Sequence, residues 1–163
     1  MLSESSFSLR IHLVWAGKTR ERHCAALIDD YLSRIQRFSP LELTEVREAK
    51  GAGSDDQARK IESDRLIEAV SSDDYVVLLD EQGEERTSVQ FSRFIAERQQ
   101  AAVKKLAFII GPHSGASDEL RNSARATISL SALTLTHELA RVILVEQIYR
   151  AFTMLAGTPY HRY

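Results

Sequence analysis

The stretch ISLSALTLTHELARVILVEQIYRAF, residues 128–152, has two halves of different character. The second half has the apolar spacing of a long amphipathic helix, which we predict over residues 137–155 with Thr136 as its N-cap. In the first half, residues 129–136, leucine alternates with serine, alanine and threonine, and no Gly, Pro, Asn or Asp marks a turn. This half is too polar for a strand buried on both faces. The sequence therefore indicates an unusual loop directly before a helix.

Upstream of this stretch, predicted strands alternate with predicted helices. Two runs, YVVLLD and KLAFIIG, are apolar almost throughout, as in strands buried on both faces of a parallel sheet. LELTEV alternates apolar and polar residues, which favours a strand near an edge. Strands are predicted at 9–15, 41–46, 75–80, 105–111 and 126–130, and helices at 19–38, 56–70, 89–100 and 117–124, the last two capped by Ser88 and Ser117.

This alternation predicts an α/β fold with a mostly parallel sheet flanked by helices. We interpret residues 1–163 as a single domain, because the length suits one core and no linker or repeat interrupts the chain. Ligands of such sheets bind beyond the carboxyl ends of the strands. The loops after the buried strands, together with residues 129–136, are therefore the first candidates for a site.

The composition excludes several classes of protein. The single cysteine, Cys24, rules out an internal disulfide and a Cys-based zinc site, and the five histidines have no metal-binding spacing, so we expect no metal. No apolar run is long enough to cross a membrane, and the first residues lack the pattern of a signal peptide. We expect a cytoplasmic protein without a membrane partner.

The net charge of −2 argues mildly against a nucleic-acid binder, but the distribution of charge matters more than the sum. Acidic residues concentrate in the middle of the chain, whereas residues 139–163 are basic. The ending TPYHRY (158–163) combines groups that stack, donate hydrogen bonds and carry charge, which suits RNA contact. The alternative is a tail that packs on its own domain or on a partner subunit. Glu146 and Arg150, at i and i+4, could simply form a surface ion pair.

The spacing of residues does not by itself decide the function of two motifs that follow predicted strands. FIIGPHSGAS (108–117) has glycines where a backbone could approach a ligand, but it matches neither the dinucleotide fingerprint nor the P-loop. It suits a ligand loop or an ordinary strand-to-helix turn. DEQG (80–83) is interpreted as a solvated acidic turn rather than a metal site. We expect His137, in the first turn of the last helix, to be neutral because a cation there opposes the helix dipole.

Together these features resemble the bacterial ribosomal RNA large-subunit methyltransferase H family, which belongs to the SPOUT, or α/β-knot, methyltransferases. The resemblance covers almost the whole chain. Its most specific part is SLSALTLTHELARVILVEQIYRAF (129–152) followed by PYHR (159–162). The other matching motifs are LVWAGKTRERHCAALIDDYLSRI (13–35), LLDEQG (78–83) and FIIGPHSGAS (108–117).

The resemblance implies an enzyme that uses S-adenosyl-L-methionine to methylate N3 of a pseudouridine in the helix 69 loop of 23S rRNA, within the assembled ribosome. It also implies a homodimer with a C-terminal trefoil knot, and no role for DNA. Residues 129–136 would then be the knotted loop around the cofactor. By motif position, cofactor contact carries over to Leu79, Gly111, Leu130, Ser131, Ala132, Leu133, Thr134 and Leu135. The candidates for catalysis are Arg150, Tyr160, His161 and Arg162, from this chain or the partner subunit, with no base singled out among them.

Two positions depart from the family pattern. Pro112 stands where the family has a second glycine, and proline removes a backbone N–H that could contact the cofactor. Thr136 stands where the family has proline, and threonine can cap the helix instead.

Two other functions compete with this interpretation. One is a SPOUT enzyme that acts on another RNA, such as tRNA. The other is a non-catalytic α/β binding module of the same fold, for which Pro112 is the best support.

Overall fold

A computed structural model describes residues 9–161. Within that range, five strands alternate with five helices, which confirms the predicted α/β class. In chain order the elements are β1 (Arg10–Ala16), α1 (Arg22–Ile35), β2 (Leu41–Val46), α2 (Asp55–Glu68), β3 (Tyr75–Glu85), α3 (Ser88–Gln100), β4 (Lys105–Ile110), α4 (Asp118–Ser123), β5 (Ala126–Ser129) and α5 (His137–Ala156).

The five strands form one sheet in the order β2-β1-β4-β3-β5, and every neighbouring pair is parallel. The alternating run LELTEV forms the edge strand β2, as predicted. The apolar run of β4 lies at the centre between β1 and β3, and its residues from Leu106 to Ile110 are buried. The periodicity of each run therefore reports its position in the sheet.

Helices cover both faces of the sheet. On one face, α1, α3 and α5 bury a large core that includes Ile28, Phe94 and Leu144. On the other face, α2 and α4 bury a smaller core around Leu66 and Leu120. Each fully buried side chain of this size contributes about 1.5–3 kcal/mol relative to an exposed one. Among residues 9–161, no helix combines the length and apolar character needed to cross a bilayer.

The predicted end of β3 at Asp80 is wrong, because the strand continues to Glu85. Leu79 and Glu84 both lie opposite Ile128 of β5, so residues 80–83 form a bulge between two stretches of pairing. A polar run such as EQGEE shows no strand periodicity, and only its partner strand reveals the extension. Gly83 permits this approach, since a Cβ there would lie 2.6 Å from the backbone carbonyl carbon of Ile128.

Helix boundaries mostly agree with the predicted ones, with one cap corrected. Thr87, not Ser88, caps α3, where it accepts a hydrogen bond from the Gln90 N–H while the Gln90 side chain accepts one from the Thr87 N–H. This reciprocal pair satisfies two otherwise unpaired donors. Ser117 and Thr136 cap α4 and α5 as predicted. The trefoil knot stays a prediction.

The close passage at Gly83 generates a test of the fold. We expect Gly83→Ala to lower the free energy of unfolding by about 2 kcal/mol or more, because the added methyl meets backbone that cannot move away independently. Gly53→Ala is the control, since its Cβ would meet only the flexible end of the Gln57 side chain. Urea unfolding monitored by circular dichroism measures both variants. Equal stability of the two variants would contradict the tight crossing.

Candidate active site

A cleft of about 720 Å³ opens beside the bulge of β3 and the carboxyl ends of β4 and β5. We call it the strand-end cleft. Its volume lies in the range of small-molecule sites. Its walls are the β3 bulge from Asp80 to Gln82, residues 110–116 after β4, residues 129–136 before α5, and the first turn of α5.

The structure brings most of the predicted cofactor contacts to this cleft. The lining includes Leu79, Gly111, Leu130, Ser131, Leu133, Thr134 and Leu135. Ala132 is exposed and does not line the cleft. The alternating segment therefore faces the cleft with both its leucines and its small polar residues.

Internal hydrogen bonds shape residues 129–136. The Ser129 hydroxyl donates to the Ser131 carbonyl at 2.9 Å, and the Leu133 N–H donates to the Ser131 hydroxyl, also at 2.9 Å. Leu130 packs against the large core, whereas Leu133 is 76% exposed. Serine thus holds the turn while one leucine anchors the segment and another remains available for contact.

The glycine loop after β4 is held from two sides. The Gly115 N–H donates to the Pro112 carbonyl at 2.8 Å, and Gly115 has φ +96°, which other residues rarely adopt. Arg59 of α2 donates from Nε to the Ser114 carbonyl at 2.8 Å. Pro112 is buried and takes part in the turn through its carbonyl, so its missing N–H does not disrupt the loop.

Asp80 does not lie in a solvated turn, and that interpretation is wrong for this residue. Its side chain is 9% exposed and forms an ion pair with Arg121 of α4 at 2.9 Å. It also accepts a hydrogen bond from the Gln82 N–H at 2.9 Å. Asp80 therefore orders the bulge and ties it to α4 at the cleft wall. Among the described residues, no group of three or more His, Cys, Asp or Glu side chains could hold a metal ion.

The imidazole of His137, in the first turn of α5, lies beside the imidazole of His113, in the loop after β4. His113 and His137 both line the cleft, with ring centroids 5.7 Å apart in an edge-to-face arrangement. Burial lowers the pKa of His137, and the charges of Arg141 and His113 lower it further, against an opposing hydrogen bond with the Pro112 backbone. A lowered pKa agrees with the neutral His137 that the sequence predicts.

Two of the predicted catalytic residues, Arg150 and Tyr160, lie elsewhere, in a group that we call the C-terminal cluster. It comprises Tyr31, Glu146, Tyr149, Arg150 and Tyr160. None of these residues lines the strand-end cleft. His137 begins α5 at the cleft, and Arg150 lies roughly 20 Å further along the helix axis at about 1.5 Å per residue. A single chain therefore keeps the cluster and the cleft apart.

Tyr160 is the centre of the C-terminal cluster. Its hydroxyl lies 3.1 Å from both the Tyr31 hydroxyl and Glu146 Oε1, and its ring packs edge-on against Tyr149 at 4.6 Å between centroids. The Arg150 guanidinium lies 5.1 Å from the centre of the Tyr160 ring. Burial raises the pKa of Tyr160, and the hydrogen bonds and the Glu146 charge act in the same direction. Tyr160 is therefore held as a phenol.

The Glu146–Arg150 ion pair is more than an isolated surface pair. Its atoms lie 2.6 Å apart, and the side chains of Arg150 and Glu146 are only 27% and 18% exposed. The same Glu146 oxygen accepts from Tyr160, so the pair holds the tail against α5. His161 is half-buried at the end of the described chain, and Arg162 lies outside the described residues.

Comparison with known proteins gives the family. A family model described as a predicted SPOUT methyltransferase matches residues 9–161. The ribosomal RNA large subunit methyltransferase H of Geotalea uraniireducens is 42% identical over 153 residues, covering 94% of this chain and 99% of that protein. The protein of the same description from Geobacter sulfurreducens has the same identity and coverage. The chain belongs to the ribosomal RNA large subunit methyltransferase H family.

A structural comparison agrees with this methyltransferase family at the level of the fold. The crystal structure of tRNA (m1G37) methyltransferase from Aquifex aeolicus matches with a TM-score of 0.54 and 13% identity, covering 96% of this chain and 75% of that one. At such low identity the match supports the fold alone.

The methyltransferase motifs did not reveal every residue of these two regions. Tyr31 belongs to the apolar stripe of α1, and this position predicts packing in the core. Its hydroxyl nevertheless forms a hydrogen bond with the hydroxyl of Tyr160, which is distant in the sequence. No feature of the sequence indicated that Arg121 lies at the cleft, because a short helix with mixed charges predicts only a solvated surface. The signal for Glu146 was its spacing to Arg150, which does not distinguish a surface pair from a buried anchor.

The lowered pKa of His137 generates a prediction about stability in acid. The folded state resists protonation of this imidazole, whereas the unfolded chain takes up the proton near pH 6.5. Its contribution is therefore complete above about pH 6.5 and is lost as the pH falls below it. We expect the stability difference between wild type and His137→Gln to shrink from about pH 7 to pH 5, measured by urea unfolding.

His23→Gln, at an exposed position on α1, is the matched control for this experiment. This variant measures how the loss of an exposed imidazole changes stability over the same pH range. A difference for His137→Gln that does not shrink toward pH 5 would contradict the neutral state inferred for His137.

Proposed function

We propose that this methyltransferase transfers a methyl group from S-adenosyl-L-methionine to N3 of a pseudouridine in the helix 69 loop of 23S rRNA. It acts in the cytoplasm, on the assembled ribosome, and as a homodimer. The observation that carries the proposal is the strand-end cleft, whose wall is the alternating leucine segment. The rRNA substrate is proposed because relatives described as ribosomal RNA methyltransferases match this chain along nearly their whole length.

The residues of the cleft fit this cofactor. Leu79, Leu130 and Leu135 supply apolar contacts suited to an adenine ring, and the backbone groups of Ser131 and Thr134 supply hydrogen bonds. Gly111 leaves room beside β4, where a Cβ would have only ordinary contacts, the nearest at 3.7 Å to the Ala116 Cβ. We propose these residues, together with Leu133, as the cofactor site. We also propose residues 129–136 as the knotted loop.

When bound, S-adenosylmethionine supplies a methyl group already activated on a sulfonium, so the protein has to supply position and electrostatics. The N–H proton of a uracil-type N3 leaves to solvent water, so that the nitrogen lone pair can form the new bond to the methyl carbon. The Arg150 guanidinium stabilises the negative charge that develops, Arg162 adds positive charge near the base or its phosphates, and His161 adds a hydrogen-bonding imidazole. Because Tyr160 is held as a phenol, it donates a hydrogen bond and positions Arg150 rather than taking the proton.

A homodimer reconciles the two separate regions. The C-terminal cluster lies too far along α5 to reach the cleft of its own chain, which supports the proposal that the cluster of a partner subunit completes the site. Leu27 on α1 and Leu139 and Leu155 on α5 are exposed, and they are separate apolar positions that a partner subunit would cover. In this arrangement each subunit supplies a cleft to one site and a cluster to the other.

Mass mapping of RNA tests the function directly. A strain that lacks this protein should lose one methyl group from the helix 69 loop of 23S rRNA, and expression of the protein should restore it. The tRNA of the same strain is analysed in parallel. A methyl group lost from tRNA would identify another SPOUT substrate, and no loss from any RNA would support a binding module without catalysis.

The cofactor site is tested by filling the cleft. We expect Thr134→Trp to weaken S-adenosylmethionine binding at least about tenfold, or roughly 1.4 kcal/mol, because the indole competes for the cleft volume. Ala132→Trp is the matched control two residues away, on an exposed position outside the cleft, and should bind normally. Isothermal titration calorimetry measures both. Equal affinities of the two variants for S-adenosylmethionine would contradict the proposal that the cleft is the cofactor site.

The proposed separation of cofactor binding in the cleft from catalysis by the cluster generates another prediction. Arg150→Ala and deletion of residues 160–163 should each abolish rRNA methylation and leave S-adenosylmethionine affinity within about twofold, because the cluster does not line the cleft. Methylation is followed by transfer of labelled methyl groups to ribosomes, and affinity by calorimetry. Arg93→Ala, an exposed arginine on α3, should retain both activities. Loss of cofactor binding in the truncated protein would contradict the proposal.

A further inference from the structure

A second cleft, which we call the basic cleft, opens beyond the carboxyl ends of β1 and β2. Its volume is about 900 Å³, and no part of the proposed methyl transfer uses it. Five cations line it against two carboxylates, in a chain whose net charge is −2. The cations are Lys18, Arg20, Arg47, Lys50 and Arg65, and the carboxylates are Glu45 and Glu48.

The cations of the basic cleft divide into two kinds. Arg20 pairs with Glu48 at 2.9 Å, and Arg65 donates to the carbonyls of Arg47 and Glu48 at 3.0 and 3.1 Å. In contrast, Lys18, Arg47 and Lys50 are exposed, and no salt bridge within residues 9–161 involves them. The paired cations shape the cleft, and the exposed ones remain available to an anion.

The segment that carries Arg47 and Lys50 is anchored rather than loose. In addition to the two hydrogen bonds from Arg65, the Ala49 N–H donates to the Glu62 carboxylate of α2 at 2.9 Å. The two exposed side chains therefore project from a backbone that α2 holds on both sides of residue 48. A pre-ordered set of cations loses less conformational entropy when it binds an extended polyanion.

The basic cleft adjoins the strand-end cleft. Glu138 lines the strand-end cleft, and its carboxylate accepts hydrogen bonds from the backbone N–H groups of Arg20 and Glu21 at the start of α1. Arg20 lines the basic cleft. This contact forms the boundary between the two clefts. Both clefts lie at the same end of the parallel strands, so one strand of RNA can occupy both.

We propose that the basic cleft binds the sugar-phosphate backbone of the RNA substrate, with Lys18, Arg47 and Lys50 in contact with phosphates next to the nucleotide that is methylated. This inference rests on the proposed function, because it presumes an RNA substrate. Phosphate contacts fix register and orientation without reading sequence. They also explain how a chain with a net negative charge holds RNA, since the cations are concentrated where the substrate passes.

The test compares Arg47→Gln/Lys50→Gln with Arg10→Gln/Lys104→Gln. The residues of the control pair are also exposed and cationic. They lie at the opposite end of the sheet, where β1 and β4 begin. Binding to ribosomes and to protein-free 23S rRNA is measured over a range of salt concentrations, together with kcat, KM and S-adenosylmethionine affinity. Binding is measured independently of methylation, so failure of the wild type to methylate ribosomes would count against the proposed function alone.

For the basic-cleft variant we expect KM for ribosomes to rise about tenfold, with kcat and cofactor affinity within about twofold of wild type. The slope of log affinity against log salt should become shallower by about 2, which is about 1 for each phosphate that the variant no longer neutralises. The control pair should match wild type. Unchanged KM and slope, or a fall in kcat alone, would overturn the proposal. Weaker binding to ribosomes with unchanged binding to protein-free rRNA would indicate a protein partner instead and would overturn it too.

Discussion

The candidate site depends on the double pairing of β3 with β5 on either side of the bulge at residues 80–83. Leu79 and Glu84 share Ile128 as their partner, so the chain between them is pushed out of the sheet toward the strand-end cleft. Gly83 makes the return to pairing possible because any Cβ there would collide with the β5 backbone. The Asp80–Arg121 ion pair then orders the displaced segment. Without this crossing, the bulge would not face residues 129–136, and the cleft would lack a wall.

Helix α5 links the cleft to the rest of the functional surface. Its first turn contributes His137 and Glu138 to the cleft, and Glu138 also holds the start of α1. Further along, Arg141 is buried and donates to the Ala16 carbonyl at 2.6 Å, which fixes α5 to the end of β1. Its last turns carry Arg150 and the contacts of the tail. One helix therefore sets the distance between the proposed cofactor site and the proposed catalytic cluster, which is why we propose that they belong to different subunits of one composite site.

The sequence predicts those parts of the fold that local periodicity encodes. The apolar run of β4 identified the central strand, the alternation of β2 identified the edge, and Ser117 and Thr136 identified helix starts. The extension of β3 was missed because its residues are polar and gain order only from pairing with a strand more than forty positions away. Ser88 was chosen over Thr87 for a similar reason, since adjacent hydroxyl residues are equivalent until the capping bonds are seen.

The candidate site was predictable to a different extent, and mainly through family resemblance. Composition and spacing left the role of the glycine loop open. The family resemblance predicted a set of cofactor contacts, and the structure places these residues around one cleft, with Ala132 as the exception. The burial of Asp80 and the contact of Tyr31 with Tyr160 could not be foreseen, because each depends on residues distant in sequence. The basic cleft was missed for the same reason, since its cations come from three separate segments.

The most direct measurement of the central claim is a crystal structure of the protein grown with S-adenosylmethionine. The account predicts density for the cofactor in the strand-end cleft, in contact with Gly111 and with residues 130, 131 and 133–135. It also predicts that a C-terminal cluster from a second subunit faces the methyl group of the cofactor. Cofactor density at another place on the molecule, or a saturated crystal whose strand-end cleft holds none, would contradict it.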